Sequence, residues 1–282
     1  MFRQILVITA AAVSFASIVE AADLPSRKAV IAPPVEATPI YAWTGYYAGL
    51  TVGYDWSQSK DRVMGADTLT MNSWQYPGEI NSPKINPTGF IGGAQAGYNL
   101  QLSPATVAGI EGDLSGSSLN GKALAPGTVD PSRLMTGTER MDVFGTLRGR
   151  VGYLPSNQLL AYLTGGLAYG HGSLKTGLSR PGFSPGPPPD GCGGNNNCQT
   201  GSAAYSRLGW TAGVGLEWAI SKDWSAKAEY LYYDLGSVSH LMTDPAFPST
   251  IFRARAPLTG NIMRAGLEYH FSAPAPTIVA KD

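Results

Sequence analysis

Charge is scarce in this sequence: Asp, Glu, Lys and Arg make up 14% of 282 residues, against a usual ~25%. The 20 basic and 20 acidic residues cancel, so the basic excess that nucleic-acid binding requires is missing. Two cysteines and three histidines leave no zinc-type ligand spacing, and no phosphate-binding glycine loop or nucleophile motif is present. No metal and no cofactor is predicted. Beyond residue 22 there is no apolar run near the roughly 20 residues that a membrane-spanning helix needs. If this chain crosses a membrane, strands must do it.

Glycine is abundant instead, with 35 residues against a usual share of about 7%. The first 22 residues read as an export signal. Arg3 gives the positive start, Ile5–Val19 is uncharged and apolar, and small residues precede a cleavage point after Ala21. Residues 22–42 carry four prolines and no periodicity, which predicts an extended leader. Residues 272–282 repeat that character. The expected organisation is signal 1–21, leader 22–42, folded unit 43–271 and tail 272–282.

The most informative stretch is Arg207–Leu235. Leu208, Trp210, Ala212, Val214, Leu216, Trp218 and Ile220 alternate with Gly209, Thr211, Gly213, Gly215, Glu217 and Ala219. A period of two is a β-strand with two unlike faces. One face is greasy with a Trp near each end; the other is small or ionic. Lipid-facing barrel strands have that pattern. Ser221-Lys222-Asp223 turns the chain into a second strand of the same kind.

The pattern recurs. Strands are predicted at Tyr46–Trp56, Gly89–Gln101, Thr106–Ser115, Glu139–Leu154, Leu159–Leu174, in the two halves of the template hairpin, and at Gly260–Phe271. The connections alternate between long, polar ones (about 57–88, 117–138, 175–206 and 236–258) and tight turns at Ser103-Pro104, Pro155-Ser156-Asn157 and Ser221-Lys222-Asp223. An even strand number with short turns at one rim and long loops at the other is the plan of an outer-membrane barrel. The predicted fold is all-β, an eight-stranded antiparallel transmembrane barrel with both termini periplasmic. A soluble β fold would turn the greasy face inward.

Four segments carry a family resemblance: Trp43-Thr44-Gly45-Tyr46-Tyr47-Ala48-Gly49, Gly89-Phe90-Ile91-Gly92-Gly93, Phe144-Gly145-Thr146-Leu147-Arg148-Gly149-Arg150-Val151-Gly152-Tyr153, and Arg264-Ala265-Gly266-Leu267-Glu268-Tyr269-His270-Phe271. With the Ala-Asp-Leu-Pro that follows the signal, they resemble the small outer-membrane barrels of alphaproteobacteria, the major surface-antigen and RopB-like family within the OmpA-like eight-stranded group. The resemblance implies a Gram-negative outer-membrane location and a porin-like or structural envelope role; some members are haem binders or adhesins. It also implies lipid and lipopolysaccharide as partners, and recognition of Gly260–Phe271 by the barrel-assembly machinery. Such barrels usually end on the final aromatic, whereas here eleven residues follow Phe271. Homo-oligomerisation stays open.

The inward-facing charges are predicted to be Glu111, Asp113, Asp142, Glu217, Glu229 and Glu268 against Arg148, Arg150, Lys227 and Arg264. Inside so narrow a barrel they must pair, because a lone buried charge is costly. They form either a plug of ion pairs or the lining of a narrow pore. Inward glycines such as Gly93, Gly97, Gly166, Gly170, Gly213, Gly215 and Gly266 leave room and argue for the pore. The expected bilayer conductance is small or absent. Trp56, Trp210, Trp218, Trp224 and Tyr269 are expected at the two membrane interfaces. Cys192 and Cys198, with five residues between them in an exported loop, are expected to form a disulfide. His171 and His240 fall at the outer rim, where a haem-binding surface is an alternative role. A His171–Ser173–Glu139 trio, the shape of a lipid deacylase site, has no supporting motif, and the protein is expected not to be an enzyme.

Overall fold

The computed structural model describes residues 41–60, 62–66, 83–127, 134–179, 198–244, 248–249 and 251–272. The predicted signal, all of the leader before Tyr41, the tail after Ser272 and Cys192 lie outside the described residues.

Eight long strands form the ring: β1 (Gly45–Ser57), β5 (Thr88–Ser103), β6 (Thr106–Pro126), β7 (Leu134–Ser156), β8 (Leu159–Ser179), β9 (Gln199–Ala219), β10 (Trp224–Met242) and β11 (Phe252–Ser272). Among the described residues of the first long connection are three short strands, β2 (Ser59–Lys60), β3 (Arg62–Gly65) and β4 (Lys84–Ile85). Each long strand pairs antiparallel with the next, and β1 closes on β11 from Gly45↔Ser272 to Ser57↔Gly260. Closure leaves no open edge in the hydrocarbon, where unpaired backbone groups cost several kcal/mol each. β3 continues the sheet beyond β1 by pairing with the far end of β11.

The outer face follows the period of two. Leu208, Trp210, Val214, Leu216, Trp218 and Ile220 are all exposed, while Thr211 and Glu217 are buried inside. Two aromatic girdles bound the greasy band. At one end Trp224 meets Tyr269, with ring centroids 5.2 Å apart, and Tyr46 meets Tyr98 at 4.8 Å. At the other, Trp210 meets Tyr232 at 5.4 Å and Trp56 meets Tyr230 at 6.3 Å. On β11 the band runs from Asn261, opposite Trp56 and Tyr232, to Tyr269, opposite Trp224. That is about 26 Å along the strand at ~3.3 Å per residue, enough for a tilted strand to cross a thin bilayer.

Among the described residues, three of the segments expected as long loops are largely strand. β6 and β7 stay paired out to Pro126↔Leu134, β8 and β9 to Leu178↔Gln199, and β10 and β11 to Met242↔Phe252. These stretches escaped the membrane pattern because the faces exchange character above the upper girdle. On β11 the greasy residues sit at odd positions from Met263 to Phe271 and point out. From Phe252 to Ile262 they sit at even positions and point in, while Arg253 and Arg255 face outward. A strand in water buries its apolar side against its neighbours; a strand in lipid exposes it.

The interior is layered. Tyr41, Trp43, Val107, Leu154, Leu160, Tyr162 and Ala219 cluster at the rim that carries the tight turns. The charged side chains follow. Above them Ile91, Leu119, Met141, Phe144, Leu231, Tyr233, Leu235, Leu258 and Ile262 form an apolar layer. Met135, Leu178, Met242, Phe252 and Ala254 fill the far end.

Candidate functional site

The site is the charged layer of the lumen, and alternation along each strand builds it. β6 turns Glu111 and Asp113 inward, β7 Arg148 and Arg150, β9 Glu217, β10 Lys227 and Glu229, and β11 Arg264, Glu268 and His270; all are buried. Nine of the ten sequence-predicted lumen charges therefore meet in one layer.

Arg148 is the hub. Its Nη1 donates to Glu229 Oε1 at 2.8 Å, and its Nη2 reaches Glu111 and, at 3.2 Å, Asp113 Oδ2. Arg264 spans Glu229 and Asp113: Nη2 lies 2.7 Å from Glu229 Oε2 and Nη1 lies 3.1 Å from Asp113 Oδ1. Lys227 Nζ bridges Glu111 Oε2 at 2.8 Å and Glu268 Oε1 at 3.1 Å. Arg150 Nη1 sits 3.1 Å from Glu217 Oε2, and its Nε donates to Asn99 Oδ1 at 2.8 Å. His270 Nε2 is 3.0 Å from Glu217 Oε1. Five carboxylates, three guanidinium groups, one lysine and one imidazole thus form a connected lattice. Single charges at this depth would be prohibitive; paired ones held by several hydrogen bonds are tolerated.

Neutral groups complete it. The Tyr47 hydroxyl donates to Glu111 Oε2 at 2.8 Å, the Tyr162 hydroxyl to Glu229 Oε1 at 3.1 Å, and Ser225 Oγ to Glu217 Oε1 at 2.7 Å. Gln95 donates to Glu268 and Thr146 to Asp113. The Arg150 guanidinium carbon lies 4.4 Å from the centre of the Tyr47 ring. Gln95, Asn99, Tyr162 and Ser225 were not singled out from the sequence. Their signal was parity alone: each stands on the inward face of its strand.

Asp142 does not belong here. It lies at a bulge between Met141 and Val143, where neither neighbouring strand offers it a partner. The extra residue flips the alternation. Met141 is buried in the apolar layer, and Asp142, expected inside, pairs on the outside with Arg140, Nε to Oδ1 2.5 Å. The same flip buries Glu139 within the barrel, so the trio with His171 and Ser173 is not assembled. His171 Nδ1 is 2.9 Å from Ser206 Oγ on the outer face, and His240 Nε2 is 2.7 Å from Thr176 Oγ1.

Tyrosine rings lie against three of the inward glycines. The Tyr47 ring lies over Gly97, Tyr162 over Gly215, and Tyr233 over Gly260; a Cβ at any of these glycines would overlap the ring. The space that glycine leaves is where a neighbouring strand's tyrosine lies. Aromatic side chains stand at both mouths of the layer. Trp43 Nε1 donates to the carbonyl of Asn157 in the β7–β8 turn at 3.2 Å, and the Trp43 and Tyr41 rings, 4.7 Å apart, sit edge-on to each other. At the other face Phe144 and Tyr233 pack with centroids 5.0 Å apart.

Glu217, Glu268 and His270 bring potential metal-ligand atoms within 4.8 Å of one another. Those of Glu217 and His270 are engaged with each other and with Ser225, so the arrangement reads as a hydrogen-bonded end of the lattice. Cys198 is buried, and its backbone N–H donates to Asp244 Oδ2 at 2.8 Å.

Comparison with known proteins places these features in a lineage. The chain is 31% identical over 268 residues to the 31 kDa outer-membrane immunogenic protein of Brucella melitensis, covering 94% of this chain and 99% of that one. It is 28% identical to the 25 kDa outer-membrane immunogenic protein of Brucella abortus over 95% of this chain and 98% of that one. Among solved structures, OprG of Pseudomonas aeruginosa aligns over 82% of this chain and 97% of its own, with 13% identity and a TM-score of 0.49. The model of the outer membrane protein beta-barrel domain matches residues 8–271: the chain belongs to that family and is a protein of the outer membrane.

Proposed function

We infer that this protein serves as a sealed barrel of the outer membrane, with a structural envelope role and an outer part presented to the surroundings, and not as an open pore. The stacking of the lumen carries the reading. A solute would have to displace the Trp43 cap, break the lattice around Arg148 and then cross the Phe144–Tyr233 layer. Removing one partner from a buried ion pair costs about 3–5 kcal/mol, so no low-energy path for passage runs through these layers. The strands that continue past the upper girdle supply an exposed surface, which suits a relationship to proteins named as immunogenic.

Planar-bilayer recording and liposome swelling test this directly. Purified, heat-modifiable barrel should give no stable conductance and no swelling with small sugars. A persistent open channel in most insertions would overturn the sealed reading and restore porin-like passage. A screen of surface ligands, haem among them, tests whether the outer part also binds.

A further inference from the structure

Three arginines stand together on the outer face, above the membrane band, with no ion-pair partner among the described residues. Arg62 of β3 lies directly opposite Arg255 of β11, and Arg253 follows two residues along the same face. All three are exposed. Among the described residues none of them forms an ion pair; Arg255 Nε donates to Ser237 Oγ at 2.9 Å. Among the described residues, Asp234 of the neighbouring strand β10 is opposite Thr259, and its Oδ1 accepts from the Gly236 N–H at 2.8 Å. Directly opposed residues of an antiparallel pair have Cβ atoms about 4.5–5.5 Å apart, where like charges repel. A bridging anion turns that repulsion into attraction, and guanidinium groups take phosphate and carboxylate through paired hydrogen bonds.

Height fixes which anion. Arg255 is six residues beyond Asn261, which marks the upper girdle. Six residues are about 20 Å of strand, or roughly 15 Å above the lipid band for a strand tilted ~40°. That is above the acyl chains and at the level of a bulky headgroup. Basic clusters just outside a membrane are the usual recognition element for anionic lipids.

We propose that Arg62, Arg253 and Arg255 form a binding site for the anionic saccharide headgroup of an outer-leaflet glycolipid, lipopolysaccharide in this membrane. The site is on the barrel's exterior and holds whether or not the lumen conducts.

The test is titration of the full-chain barrel in detergent with fluorescent lipopolysaccharide, and separately with dextran sulfate as a soluble polyanion. The wild type should bind the glycolipid more tightly than dextran sulfate, and binding should weaken from low to high salt. The variant R62Q/R253Q/R255Q should bind lipopolysaccharide at least about tenfold more weakly, the scale of a few surface charge contacts, while K222Q at the opposite rim should not. Folding is verified by the shift between unheated and boiled protein on a gel, and R253Q alone serves if the triple variant fails it. Unchanged affinity in a folded variant, salt-independent binding by the wild type, or equal affinity for dextran sulfate would each overturn the proposal.

Discussion

Arg148 and Glu229 join across the lumen. They belong to strands that are not neighbours, β7 and β10, yet Nη1 and Oε1 are 2.8 Å apart. The contact crosses the barrel instead of following its wall. With Arg264 tying the same glutamate to Asp113, it makes the interior a cross-braced solid.

Arg148→Ala should therefore be among the most destabilising single changes in the lumen. It leaves Glu111, Asp113 and Glu229 buried with too few cations, and the expected loss is about 3–5 kcal/mol. Urea titration of the folded fraction in lipid vesicles measures it. A loss under about 1 kcal/mol would mean that water already reaches these carboxylates.

Trp43→Ala separates the cap from the plug. Trp43 is among the largest fully buried side chains, and truncating a residue of that size costs about 3–5 kcal/mol. Conductance should nonetheless stay absent, because the ionic and apolar layers remain above it. Channels opened by this one change would place the seal at the cap.

Gly215→Val should act through Tyr162. The new side chain has no room beside the Tyr162 ring, and moving that ring breaks its 3.1 Å hydrogen bond to Glu229. Overpacking of this kind costs about 1–3 kcal/mol. A double-mutant cycle with Tyr162→Ala should show strong coupling, since the second change removes the clash. Additive effects would contradict the seating of the ring on the glycine.

The disulfide proposed between Cys192 and Cys198 predicts no reactive thiol in the denatured, unreduced protein and two after reduction. Thiol titration counts them directly. Two reactive thiols before reduction would dismiss the bridge.

Much of the membrane half is legible in the sequence, because lipid imposes one strict rule. From Leu208 to Ile220 every second residue is apolar, and seven tight or long connections follow in alternation. Strand number, sidedness and the inward position of Glu217 or Arg264 follow from counting by two. Counting fails at Asp142, where one inserted residue exchanges the faces of everything beyond it. No local composition announces that bulge. The extracellular strands were likewise hidden, because water and lipid ask for opposite faces to be greasy.

Residue order alone points to a lipid-facing sheet with charges inside, since a period of two with one greasy face recurs from strand to strand. How the charges pair emerges only in the folded barrel. Whether Arg148 meets Glu229, whether tyrosines occupy the space beside the glycines and whether Trp43 caps the mouth depend on side chains from non-adjacent strands converging across the lumen. Such contacts are set by strand stagger and barrel closure, which no single strand encodes.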